Sequence, residues 1–141
     1  MIELCVEELS DVYRKLIEAS LKASESAYAV YSKFNVGAAL LDKMGNVFVG
    51  CNVENASSGA TICAERAAVC NAISHGSKEY VAIAIATASS GAIIPCGICR
   101  QTLCEFSKNM DIICTNGLGK VRIYDLEELL PEPFDLNGRN V

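Results

Sequence analysis

The sequence contains no tryptophan, only one histidine and three prolines, and no cluster of lysine or arginine. Twelve basic residues against seventeen acidic ones leave a net charge of −5, which repels a phosphate backbone. Polymeric DNA or RNA is therefore not an expected partner. The stretch from Met1 to Glu8 is acidic and lacks the basic-then-apolar pattern of a secretory signal, so a cytoplasmic protein is expected. Uninterrupted apolar runs of membrane-spanning length are also missing. The longest uncharged stretch, Val81 to Cys99, is broken by Ser89, Ser90, Gly91, Pro95 and Gly97, and reads as a buried strand followed by a loop rather than a membrane segment. There is no internal repeat, low-complexity tract or linker, and 141 residues that are half hydrophobic suit one compact domain over residues 1–141.

Cysteine, in contrast, is plentiful, with eight in the chain. A disulfide scaffold requires an oxidising compartment, which this N-terminus does not suggest; in a reducing one, clustered thiols point to metal or catalysis.

Apolar spacing outlines the elements. Leu9, Val12, Tyr13, Leu16, Ile17 and Leu21 recur every three to four residues and predict an amphipathic helix over Leu9–Leu21. Phe34–Leu41 and Val47–Val53 read as a hairpin turning at Gly45-Asn46. An alanine-rich helix is expected from Cys63 to Ile73, closing at His75-Gly76. Val81–Thr87 reads as a strand, Pro95 introduces a helix that runs through Phe106, and Ile112–Thr115 and Val121–Ile123 are strands separated by turns at Asn116-Gly117 and Leu118-Gly119. A short helix over Leu126–Leu130 stops at Pro131. The order α-β-β-α-β-α-β-β implies an α/β fold with one mixed sheet covered by helices.

Pro95-Cys96-Gly97-Ile98-Cys99 carries the strongest local signal, because two cysteines three positions apart at a helix start can direct both sulfurs at one ion. Alone, the pair is ambiguous: besides a catalytic zinc site it fits half of a structural zinc site, a redox dithiol or chance. Cys63-Ala64-Glu65-Arg66 offers a third thiolate at another helix start, followed two residues later by a carboxylate. Three protein ligands leave a tetrahedral ion with an open position, the arrangement that separates catalytic from structural zinc. An open position beside a carboxylate suggests hydrolysis. Three thiolates on a divalent ion leave a net negative cluster, which Arg66 and two helix N-termini can offset.

A Cys two residues before a Glu, with a later Pro-Cys-x-x-Cys, is the zinc-deaminase pattern. Thr61-Ile62-Cys63-Ala64-Glu65-Arg66 together with Pro95-Cys96-Gly97-Ile98-Cys99-Arg100-Gln101 closely resembles the small homotetrameric cytidine deaminases, over about Tyr28 to Phe134. That resemblance implies a three-layer α-β-α domain with a mixed five-stranded sheet and one Zn2+ per subunit held by Cys63, Cys96 and Cys99. It further implies that Glu65 shuttles protons without binding the metal. The activity implied is hydrolysis of free cytidine and deoxycytidine to the uracil nucleosides and ammonia. In relatives, residues at the positions of Phe34-Asn35-Val36-Gly37 and Asn52-Val53-Glu54-Asn55 hold base and sugar. Phe34 would pack on the pyrimidine, Asn52 and Glu54 would bond the sugar hydroxyls, and the Ala64 backbone would meet the base carbonyl. Core packing for Phe34 and a strand-end role for Asn52 are the plain alternatives. A carboxylate at Glu54 beside the sugar disfavours a phosphorylated substrate.

Phe134, after Leu129-Leu130-Pro131, matches a C-terminal aromatic that in relatives closes a neighbour's active site in a homotetramer. The chain departs from the family at Ser58, where many relatives carry an aromatic residue, and in Glu132 and Pro133 before Phe134. The first departure keeps open a rival substrate, a modified cytosine nucleoside such as blasticidin S. A structural zinc module and a thioredoxin-like redox protein are the competitors of another class, and the lone Cys63-Ala64-Glu65 argues against both. His75 is expected to serve only a helix end. Cys5, Cys51, Cys70, Cys104 and Cys114 are expected to be small hydrophobes inside strands or helices.

Overall fold

A computed structural model describes residues 1–89, 91–116 and 118–136. Six strands form one mixed sheet: β1 (Ile2–Cys5), β2 (Gly37–Asp42), β3 (Val47–Cys51), β4 (Tyr80–Ala86), β5 (Asp111–Thr115) and β6 (Lys120–Asp125), in the order β1-β6-β5-β4-β2-β3. Only β4 and β5 pair in parallel; the other neighbours are antiparallel. The helices are α1 (Asp11–Ser24), α2 (Ala64–Ser74), α3 (Gly97–Cys104) and α4 (Leu126–Leu129). The parallel β4–β5 step is connected through α3, as a parallel pair requires a crossover.

The central strands β2 and β4 are almost wholly buried because both of their faces are covered. Alternate residues point opposite ways. Ala38, Leu40, Ile83, Ile85, Ile112 and Cys114 meet α2, α3 and α4 residues such as Ala68 and Leu103. Ala39, Leu41, Ala82, Ala84 and Ile113 meet Leu16 and Ile17 of α1. The result is the expected three-layer α-β-α arrangement. Two glycines allow helix backbone to touch sheet backbone. A Cβ on Gly37 would lie 1.8 Å from the Ser20 carbonyl oxygen of α1, and one on Gly50 would lie 2.3 Å from the Ala68 nitrogen of α2. Gly50 thus seats α2 directly on β3.

The sixth strand corrects the five-stranded expectation. β1 is only four residues long and lies mostly exposed at the sheet edge, and the brief alternation Ile2-Glu3-Leu4 is too short to mark a strand. The strand is recruited by the edge of β6, with Arg122 donating to Glu3 at 3.0 Å. The hairpin turn is held by Asp42, whose Oδ1 accepts the Met44 and Asn46 backbone N–H groups while its Oδ2 accepts Asn46 Nδ2 and the Ser77 hydroxyl. Gly45 adopts φ +88°, where a side chain would be strained. Asn116 and Leu118-Gly119 lie at the expected turns, but Gly117 is outside the described residues, as is Ser90. Cys114 is buried and Cys51 and Cys104 are half-buried, whereas Cys5 and Cys70 are exposed, contrary to expectation. Cys5 ends the edge strand, and Cys70 sits on the outward face of α2, which packs through Ala68, Val69 and Ala72. Among the described residues, no helix is long and apolar enough to cross a membrane.

Candidate active site

Cys63 and Cys96 each occupy the N-cap of a helix, α2 and α3, and neither side chain makes a capping hydrogen bond. N-caps are ordinarily Ser, Thr, Asp or Asn, whose oxygen satisfies a free backbone N–H for about 1 kcal/mol. Cysteine at both positions forgoes that bond and leaves the sulfur available. Cys99, in the first turn of α3, brings a third sulfur, and the ligand atoms of Cys63, Cys96 and Cys99 all lie within 4.8 Å of one another. The helices' partial positive ends face a cluster that becomes negative when the thiols ionise.

The surroundings fit a soft cation. Burial pushes the Cys63 thiol up, partly offset by a hydrogen bond from Arg66. Burial also raises Cys99, with the charges of Glu65 and Cys63 adding to it. For Cys96, burial is outweighed by hydrogen bonds from the Cys99 backbone and from the Cys99 and Cys63 side chains, so its thiol is lowered. Arg66 donates from Nη2 to the Thr61 carbonyl at 2.9 Å and lies 3.9 Å from Cys63 Sγ. Its buried Nε has no hydrogen-bond partner among the described residues. A guanidinium short of an acceptor beside three sulfurs suits thiolates, and a zinc ion held by Cys63, Cys96 and Cys99 would complete that charge balance.

Glu65, in the first turn of α2, is only 4% exposed, and its carboxyl is pushed up chiefly by burial. It interacts with the Cys99 side chain, so the carboxyl stands against the sulfur cluster. A carboxyl of raised proton affinity at a metal-binding cluster is suited to proton transfer.

The expected substrate residues gather on the loop before β2 and after β3. Phe34 is half-buried and packs against the core that α2 and α3 share. Asn52 is 9% exposed, and its side chain joins the loop: Oδ1 accepts Val36 N–H at 2.8 Å and Nδ2 donates to the Phe34 carbonyl at 2.9 Å. Glu54 Oε1 accepts the backbone N–H groups of Tyr31 and Ser32 at 2.9 and 3.0 Å. Hydrogen bonds from Ser32, chiefly, hold the Glu54 carboxyl below its ordinary value. Ala64 is fully buried in the first turn of α2. Ser58 lies in a short, exposed 3-10 turn, Ser58–Ala60, and presents no ring.

Phe134 is 73% exposed. Its backbone is gripped by Gln101 of α3, whose Oε1 accepts Phe134 N–H at 3.0 Å and whose Nε2 donates to the Phe134 carbonyl at 2.9 Å. Arg100 adds bonds to the carbonyls of Pro95 and Leu129. These two residues tie the C-terminal segment to the helix that carries Cys99. Their side chains stand in the sequence without any sign of a partner thirty residues away. His75 caps the end of α2, with Nδ1 2.8 Å from the Asn71 carbonyl oxygen, and stacks at a tilt on Phe48.

Residues 10–115 match the family model described as "Cytidine and deoxycytidylate deaminase zinc-binding region". The chain is 44% identical over 121 residues to a cytidine deaminase of Sporosarcina psychrophila, covering 85% of this chain and 89% of that protein. It is 42% identical over 126 residues to the cytidine deaminase of Halalkalibacterium halodurans, covering 89% and 96%. Among solved structures, the cytidine deaminase from Burkholderia pseudomallei superimposes with a TM-score of 0.83 at 44% identity, over 89% of this chain and all of that one. With the match spanning all three cysteines of the cluster and Glu65, the chain belongs to the zinc-binding cytidine and deoxycytidylate deaminase family.

Proposed function

We propose that the whole chain, residues 1–141, forms one deaminase domain that hydrolyses free cytidine and deoxycytidine to uridine and deoxyuridine with release of ammonia, a pyrimidine-salvage reaction of the cytoplasm. The observation that carries this reading is a three-sulfur cluster beside the buried carboxyl of Glu65. Cys63, Cys96 and Cys99 hold one Zn2+ per subunit. When bound, zinc supplies Lewis acidity that makes water a competent nucleophile near neutral pH. Glu65 takes the proton from the attacking water, passes it to the ring nitrogen beside C4, and supports a second transfer to the departing amine. Its raised proton affinity favours taking up the proton that it then passes on. Arg66 steadies the thiolates through Cys63 and Cys99.

Phe34 packs against the pyrimidine, and the backbone of Ala64 meets the base carbonyl. Glu54 retains acceptor capacity beyond its two loop bonds and takes the sugar hydroxyls, while Asn52 has one N–H left for the same sugar. The Glu54 charge and the acidic chain favour a free nucleoside over a nucleotide. The exposure of the Phe134 ring, on a backbone bound by Gln101, supports a role for it in closing a neighbouring active site of a homotetramer.

The test is loss of cytidine absorbance and release of ammonia, with and without a zinc chelator, alongside Glu65→Gln. Chelator-sensitive turnover that disappears in Glu65→Gln while zinc stays bound is the expected result. A zinc-loaded wild type that is inert on cytidine and deoxycytidine overturns the reading, and turnover of blasticidin S by that protein would identify the modified-nucleoside alternative.

A further inference from the structure

We propose that Arg100 is a positioning residue for Cys96, setting the place of that sulfur in the cluster by fixing the peptide group through which the chain enters it. This deepens the deaminase reading above and rests on it for the set of metal ligands. Of the three cysteines, Cys96 has the least support of its own. Cys99 is buried within the first turn of α3. Cys63 follows Ile62, which exchanges two backbone hydrogen bonds with Val53, both of 2.9 Å, so the chain arrives there already pinned to a neighbouring segment. Cys96 is exposed and follows the irregular stretch 91–95, in which, among the described residues, no backbone group bonds to another backbone group.

Arg100 supplies the missing anchor. Pro95 is buried, and its carbonyl oxygen accepts Arg100 Nε at 2.8 Å, which gives a buried carbonyl the donor it has to find. That carbonyl belongs to the same planar peptide unit as the Cys96 nitrogen, so holding it fixes the plane from which the Cys96 side chain projects. The guanidinium is itself held from the far side. Its Nη1 donates at 2.9 Å to the carbonyl of Leu129, the last residue of α4, where helix carbonyls have no donor within the helix. Arg66 follows the same pattern at the other helix start, reaching back five residues to the Thr61 carbonyl ahead of Cys63. Arg66 also approaches the Cys63 sulfur, whereas Arg100 turns away to α4 and reaches the cluster through backbone. Each N-cap cysteine thus has an arginine of its own helix securing the chain that leads into it.

Arg100→Met keeps the length of the side chain and removes its donors, and Arg100→Ala removes the stem as well. The zinc affinity of the full chain is measured by competition with a chromogenic chelator, for each variant alone and combined with Cys96→Ala or Cys63→Ala. The melting temperature of the metal-free protein verifies folding, and Arg100→Met carries the test should Arg100→Ala fail to fold. Both substitutions are expected to weaken zinc binding about tenfold, to do so by the same factor in the Cys63→Ala background, and to add nothing once the Cys96 sulfur is gone. Zinc affinity that holds at the wild-type value while the metal-free melting temperature falls would make Arg100 a clamp of the C-terminal segment alone and overturn the proposal. So would an undiminished loss in the Cys96→Ala background, because the effect would then not pass through that sulfur. A Cys96→Ala protein that binds zinc as tightly as wild type would instead overturn the ligand set of the deaminase reading itself.

Discussion

Glu65 and Arg66 are adjacent in sequence and both reach the sulfur cluster, and substitutions should separate the roles proposed for them. Glu65→Gln keeps the shape but cannot carry a proton, so kcat is expected to fall at least about a hundredfold with zinc content unchanged, as read by metal analysis beside turnover. Arg66→Gln removes the positive charge that faces Cys63 and Cys99. Zinc affinity is expected to fall about 10- to 100-fold, measured by competition with a chromogenic chelator. Cys114 is buried with its thiol pushed up to about 12, so it stays protonated and inert toward thiol reagents in the folded protein.

Helix placement depends on two close approaches with different consequences. Alanine at either Gly37 or Gly50 would drive a Cβ into helix backbone, and overpacking of this kind costs about 1–3 kcal/mol. Gly50→Ala pushes on α2, which carries Cys63 and Glu65, and should lower both the urea midpoint and zinc affinity. Gly37→Ala pushes on α1, which carries no residue of the site, and should lower the midpoint while sparing zinc affinity. Equal effects on zinc would show that the cluster is not seated by the β3–α2 contact. The clamp from Gln101 to Phe134 joins α3 to the C-terminal segment in the same sense.

For the whole molecule, stability should depend on pH through Asp42. Burial works against its ionised form, but hydrogen bonds from Asn46, Ser77 and Met44 outweigh it and hold the carboxyl below its ordinary 3.8. A lowered folded-state value means that the unfolded chain binds the proton more readily. The stabilisation is present above the ordinary value and lost as pH falls through the folded one. Urea midpoints of wild type and Asp42→Asn should therefore differ at neutral pH and converge in acid. Taking the difference at each pH cancels the shared loss of zinc. Zinc removal at neutral pH should lower the melting temperature, because the ion binds the folded cluster more tightly than the dispersed cysteines.

Much of this protein was legible in its residues taken in order. The periodicity of Leu9 to Leu21, the hairpin around Gly45 and the alanine-rich run after Cys63 correspond to α1, β2–β3 and α2 within a few residues. The spacing of Cys63, Glu65, Cys96 and Cys99 identified the chemistry, because ligands at helix starts need only local geometry to point their sulfurs. What is nonlocal was not legible. β1 forms only because β6 offers an unpaired edge, and Asp42, beyond its local turn bonds, gains the Ser77 hydroxyl from 35 residues away. The same holds for the Asn52 amide, a strand-end residue or a sugar ligand by its sequence. Tertiary structure alone brings it against the peptide groups beside Phe34, where a buried amide has to find partners.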